Sequence, residues 1–155
     1  MCKKVCTFFG HRDAPPEVYP HLKETIRYLI EEKDVSVFML GNKGNFDKYA
    51  AQALHELKQD YPHIHIMLII AYVSELNKGD DFNYYDGFDY PPEVEAAPRR
   101  FAHSARNRFM AKACHYAIIY VWHEWGGAFE ASKIVYAQHK EVFNLYQRKN
   151  QPSSC

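Results

Sequence analysis

Val35-Ser36-Val37-Phe38-Met39-Leu40-Gly41-Asn42-Lys43-Gly44-Asn45-Phe46-Asp47 is the stretch that decides the fold. Val35–Leu40 is an apolar, β-branched run of strand length. Gly41-Asn42-Lys43-Gly44-Asn45 ends it, and Phe46, Tyr49, Ala50, Ala53, Leu54 and Leu57 then recur at helical spacing. A strand feeding a helix through a short glycine loop is the repeating piece of an α/β protein.

The same piece recurs on both sides. Upstream, Val5–Phe9 reads as a first strand, stopped by Gly10-His11-Arg12-Asp13. A helix follows over about Pro16–Lys33, with Leu22, Ile26, Leu29 and Ile30 on one stripe. Pro20 moves its true start toward Tyr19, because proline is tolerated only in a first turn. Downstream, Pro62 closes the Phe46 helix and Ile64–Val73 reads as a third strand, continuously apolar toward its end as a strand covered on both faces should be. Arg99–Cys114 has Phe101, Ala105, Phe109 and Ala113 on one helical stripe, and Ala117–Val121 is a fourth strand. Gly126-Gly127 opens a helix to about His139, and Glu141–Leu145 is a fifth strand. Strands alternating with helices predict an α/β fold: an open, mostly parallel five-stranded sheet with helices on both faces. Residues 1–146 form one domain on this reading, and 147–155 a flexible tail.

Composition agrees. A chain of 155 residues, 47% hydrophobic and 25% charged, is neither disordered nor fibrous. Lys+Arg and Asp+Glu both number 19, so the net charge of zero argues against a general nucleic-acid coat protein. The longest apolar run, Ile66–Val73, is too short to span a membrane. The N-terminus lacks the apolar core of a signal peptide, and the cysteines at 2, 6, 114 and 155 have no metal spacing, so a cytoplasmic setting with reduced thiols is expected. Residues 74–98 break the alternation. They carry Asp80, Asp81, Asp86, Asp89, Glu93 and Glu95 among Phe82, Tyr84, Tyr85, Phe88 and Tyr90, and read as a long acidic, aromatic loop.

In an open α/β sheet, ligands bind outside the carboxyl ends of the strands, so the loops there carry the chemistry. Gly10 permits a close turn, while His11 and Arg12 supply donors for an anion. Gly41, Asn42 and Gly44 precede a helix start that can present backbone N–H groups to a phosphate, although the spacing is not that of a Walker A loop. Gly126, Gly127 and Ala128 open another helix in the same way, flanked by Trp122 and Trp125, which can stack on a base. Arg99, His103 and Arg106 make a basic stripe on their helix, and Asn107 beside Arg106 is not needed for solubility. Neither a zinc signature nor a nucleophile elbow is present, so no metal and no cofactor are expected.

Phe8-Phe9-Gly10-His11-Arg12, Gly41-Asn42-x-Gly44-x-Phe46-Asp47, Arg106-Asn107-Arg108 and Trp125-Gly126-Gly127-Ala128 resemble the SLOG superfamily, and more narrowly its YpsA-like branch. The superfamily is Rossmann-like and binds nucleotides or nucleotide-derived ligands. It includes the Lonely Guy phosphoribohydrolases, the DprA/Smf DNA-uptake proteins and sensor domains of antiviral systems. The resemblance implies that Gly10, His11, Arg12, Gly41, Gly44, Gly126 and Gly127 line a ligand cleft and that Arg106 binds phosphate. The Lonely Guy loop P-G-G-x-G-T-x-x-E is altered here: Trp125 takes the proline position, the G-T pair is missing, and Glu130 follows Gly126 by only four residues.

The leading expectation is therefore a sensor or binding domain for a nucleotide or nucleotide-derived small molecule, held at the strand ends. One alternative is an N-glycosidic hydrolase or phosphoribohydrolase, with Glu130 as its catalytic carboxylate. Another is a DNA-handling module, because outside residues 80–95 lie all 19 basic residues but only 13 of the 19 acidic ones. Net charge makes nucleic acid the less expected partner. The surplus of aromatics predicts a homo-oligomer, most simply a dimer.

Overall fold

The computed structural model describes residues 3–77 and 84–146. Six strands form one sheet: β1 (Lys4–Gly10), β2 (Val35–Leu40), β3 (His65–Ile69), β4 (Gly87–Asp89), β5 (Tyr116–Tyr120) and β6 (Glu141–Asn144). Their order is β4-β3-β2-β1-β5-β6, and every pairing is parallel. The helices are α1 (Val18–Glu32), α2 (Asn45–Lys58), α3 (Pro92–Glu95), α4 (Ala102–Ala113) and α5 (Gly127–Ala137).

Neighbouring residues of the central strands serve two cores, because side chains alternate across a strand. Phe8, Phe38, Leu40 and Ile118 pack with Leu22, Ile26, Leu54 and Leu57 of α1 and α2. Phe9, Met39, Ala117 and Ile119 face the other way, onto Met110, Ala111, Ala131 and Val135 of α4 and α5. Both faces are covered, which is why these strands are apolar at most positions. The chain builds outward from β1 to β4 and then returns to lay β5 on the other side of β1. Strand order reverses there, so the loops after β1 and β5 part and leave a crevice. No helix among the described residues is long and apolar enough to cross a membrane.

Three sequence expectations need correcting. The sheet has six strands, not five, because 74–98 holds short elements in place of a continuous loop. β4 is only three residues long and has no apolar alternation, so nothing in its pattern marks it. What places it is Asp86, whose carboxylate accepts from the Ile66 N–H at 2.8 Å and from the Lys58 ammonium at 2.7 Å. Asp80, Asp81 and Phe82 of that stretch lie outside the described residues, as does the 147–155 tail.

The third strand ends at Ile69, not Val73. Ile70 and Ala71 stay buried beyond it, and Val73–Asn77 turn into a 3-10 helix as Glu75 accepts the Ala71 N–H. Burial, not strand geometry, made that run apolar. The Arg99 helix is also rotated from its expected face. Ala102, Ala105, Arg106, Met110 and Ala111 are its buried residues, and Phe101 is exposed. Met110 and Ala111 pack on the sheet, Ala102 and Ala105 pack with Ala71 and Val94, and Arg106 is buried with them.

Candidate functional site

The crevice between the β1 and β5 loops is a cavity of about 440 Å³. Gly10, His11 and Arg12 reach it from β1, and Gly126, Gly127 and Ala128 from the start of α5. Arg106 and Asn107 line it from α4. Eight residues expected from the sequence to contact a ligand therefore meet at one place, joined by His103 and Trp125. Asn42, Gly41 and Gly44 do not line it, although Lys43 between them does. Glu130 is also outside the lining; its side chain is exposed and pairs with Lys133 at 3.1 Å.

Arg106 is the unusual group. It is only 4% exposed, yet no carboxylate among the described residues comes within 4.0 Å of it. Its Nε and Nη2 donate at 3.3–3.4 Å to the Asn107 Oδ1, and its Nη1 has no partner. Buried guanidinium groups are normally paired, since an isolated buried charge is costly. Two more buried ring nitrogens, Nδ1 of His103 and Nδ1 of His123, are likewise unpartnered and belong to cavity-lining residues.

The titrating groups respond to this concentration of cations. Burial lowers the His103 pKa to about 4, helped by Arg106, Lys43 and Arg12. Lys43 is lowered by burial and then by Arg12 and Arg106. Asp47 is buried, and its desolvation pushes the carboxyl up to about 6 despite Arg106 and the Lys43 N–H that donates to it at 3.0 Å. Arg12, Lys43 and Arg106 outnumber the two carboxylates, Asp13 and Asp47, that line the same cavity.

At the opening, the rings of His11 and His123 stack at 3.5 Å, and those of His123 and Trp125 at 3.6 Å. His11 joins the two loops: its N–H donates to the Tyr120 carbonyl and its Nε2 accepts the Trp122 N–H. Nε2 is therefore unprotonated, in keeping with a pKa lowered by burial and by His123. Trp125 ends the ladder and is 63% exposed, leaving a free aromatic face.

The glycines position arginines rather than bare backbone. A Cβ on Gly41 would come within 2.8 Å of the Arg106 guanidinium, so the guanidinium lies flat against β2's end. Gly44, at φ +91°, sits against the Arg12 backbone, and Gly126, at φ +93°, turns the β5 loop into α5 without a side-chain cap. The basic stripe of Arg99, His103 and Arg106 delivers His103 and Arg106 to the cavity but not Arg99, and Asp47 was given no role by the sequence. His103 sits one turn before Arg106, and Asp47 lies in the first turn of α2, so helical spacing carried the signal.

No protein-family model matches the chain, and no curated protein matches it. Solved structures do. The DNA processing protein A (DprA) of Streptococcus pneumoniae has a TM-score of 0.65 and 20% identity over 92% of this chain and 50% of that one. The fold is shared. The DprA of Helicobacter pylori, described for its single-stranded DNA binding mode, has a TM-score of 0.66 and 19% identity over 96% of this chain. This chain thus spans about half of the first DprA chain and 67% of the second. At such identities the likeness establishes a DprA-like Rossmann fold.

Two glycine substitutions separate scaffold from site. A Cβ at Gly10 would fall 2.3–2.5 Å from the Phe46 ring and its Cβ, and Phe46 is only 1% exposed. Gly10→Ala is therefore expected to cost about 1–3 kcal/mol, or roughly 2–12 °C in Tm. At Gly41 the obstacle is the tip of a long side chain, so Gly41→Ala should displace the guanidinium and weaken anion binding with little change in Tm. Thermal melts with and without sulfate check both; equal loss of stability in the two variants would refute the division.

Proposed function

We propose that this chain is a SLOG-type module, akin to the YpsA-like branch, that binds single-stranded nucleic acid through a phosphate in the crevice. The buried Arg106 guanidinium with an unpartnered Nη1 carries this reading, because a cationic donor without a partner favours an anionic oxygen as its acceptor. Arg12, Lys43 and the first turn of α5 surround the same space and favour phosphate by charge and by free N–H groups. Trp125 at the opening gives a base a face to stack on, worth about 1–3 kcal/mol per base. The DprA-like fold supports the strand reading, as one such protein is described for single-stranded DNA binding.

The test is fluorescence anisotropy with an oligothymidylate. Affinity should fall steeply with salt, and Arg12→Ala or Trp125→Ala should weaken it without lowering Tm much, since exposed side chains add little to folding. No binding at about 50 mM salt would end the strand reading. A free nucleotide is the second reading, favoured by the cavity's size: about 440 Å³ lies within the roughly 300–1,000 Å³ of small-molecule sites. Thermal shift with nucleoside monophosphates tests it, and ligand at 100 times Kd should add about 2.7 kcal/mol.

A further inference from the structure

The crevice holds more than a generic phosphate needs. Three cationic side chains, Arg12, Lys43 and Arg106, line one cavity together with His103, whose Nδ1 is unpartnered. They outnumber the two carboxylates that share it, the exposed Asp13 and Asp47, which accepts the Lys43 N–H. An internal phosphodiester offers one charge and two free oxygens. A terminal phosphate offers close to two charges and three acceptor oxygens.

Access points the same way. The Arg106 side chain is packed against Gly41 and only 4% exposed, and what it offers a ligand it offers as part of the cavity lining. A diester would have to bring a sugar in on each side of that contact. A cavity of about 440 Å³ is the size of a site for one small ligand. A monoester can end at Arg106 while its own base turns outward to Trp125, on the same cavity wall.

We infer that the crevice selects a terminal phosphate: a phosphate monoester, at the end of a strand or on a free nucleotide, seated on Arg106, His103 and Lys43. The inference rests on the phosphate-binding reading above. Asn107 then acts as a positioning residue, holding the guanidinium planar through its Oδ1.

The experiment is competition binding with oligothymidylates of one length bearing a 5′-phosphate, a 3′-phosphate or hydroxyls at both ends, with thymidine monophosphate and thymidine alongside. One phosphorylated end should bind about tenfold or more tighter than the hydroxyl-ended strand, as charge-assisted contacts allow. The preference should persist as salt rises and vanish in Arg106→Gln, whose fold is checked by its melting curve. It should be only partly restored in Arg106→Lys, which keeps the charge but not the fork. Equal affinity for all three strands would overturn the inference while leaving strand binding intact. Binding of thymidine monophosphate without any strand would uphold the inference and remove the strand reading. No binding by any of them would overturn both.

Discussion

Arg106→Met is expected to abolish anion binding and, at the same time, to raise the melting temperature of the free protein. The guanidinium is buried with one nitrogen unpartnered and only long hydrogen bonds to Asn107. Methionine fills a comparable space without a charge to desolvate. Replacing buried charges by apolar groups of similar volume is often stabilising, and here the charge lacks even a paired carboxylate. Measured near pH 5.5, below the pKa of about 6 of Asp47, the variant does not strand an ionised neighbour. The gain should be about 1–2 kcal/mol, or roughly 2–8 °C. Sulfate and phosphate affinity should fall by about 100-fold, the scale of a lost buried charge contact. A lower melting temperature would mean that Arg106 supports the fold, and that its missing partner is not a ligand.

The division between what was legible in the sequence and what was not follows from range. Val35–Leu40 and the Phe46–Leu57 stripe showed strand and helix because burial on both sheet faces makes most strand residues apolar and burial of one helix face makes a stripe. The strand-end loops could be found for the same reason, and Gly10, Arg12 and Gly126 do meet in one cavity. β4 could not be read, because a bond from Asp86 to Ile66, twenty residues earlier, places it. The face of α4 was misjudged for a related reason. Phe101 and Phe109 look more apolar than Ala102 and Arg106, yet Ala102 and Ala105 are the residues that pack on Ala71 and Val94, and Phe101 stays exposed. The roles of Gly41 and Gly44 were equally hidden, since each makes room for an arginine brought from elsewhere in the chain.

Sulfate affinity is expected to rise as pH falls from about 8 to 5.5, and Asp47 is the group that sets this slope. Sulfate does not titrate in that range, so the change reports the protein alone. At pH 8 the Asp47 carboxylate is ionised and opposes an incoming anion; near and below about 6 it protonates and the opposition fades. His103, neutral in the free protein with a pKa of about 4, is held down by burial and by Arg106, Lys43 and Arg12. An anion beside those cations offsets their field and raises the pKa of both groups. Binding therefore takes up protons, and linkage makes affinity increase toward acid, by up to tenfold per pH unit for each proton. The free protein behaves differently. The raised pKa of Asp47 makes ionisation costly to the fold, so stability falls as pH rises from about 4 to 6, by about 3 kcal/mol at most. His103 has a depressed pKa, so its neutral form suits the fold and stability rises from about pH 4 to 6.5. The two slopes oppose, with His11, also lowered, on the side of His103, so the melting temperature should change less across that window than either slope alone would give. Asp47→Asn keeps an acceptor for the Lys43 N–H but removes one slope. In that variant Tm should climb from pH 4 to 6.5 while sulfate affinity loses most of its pH dependence above 5.5. An unchanged affinity profile would show that Asp47 does not sense the anion.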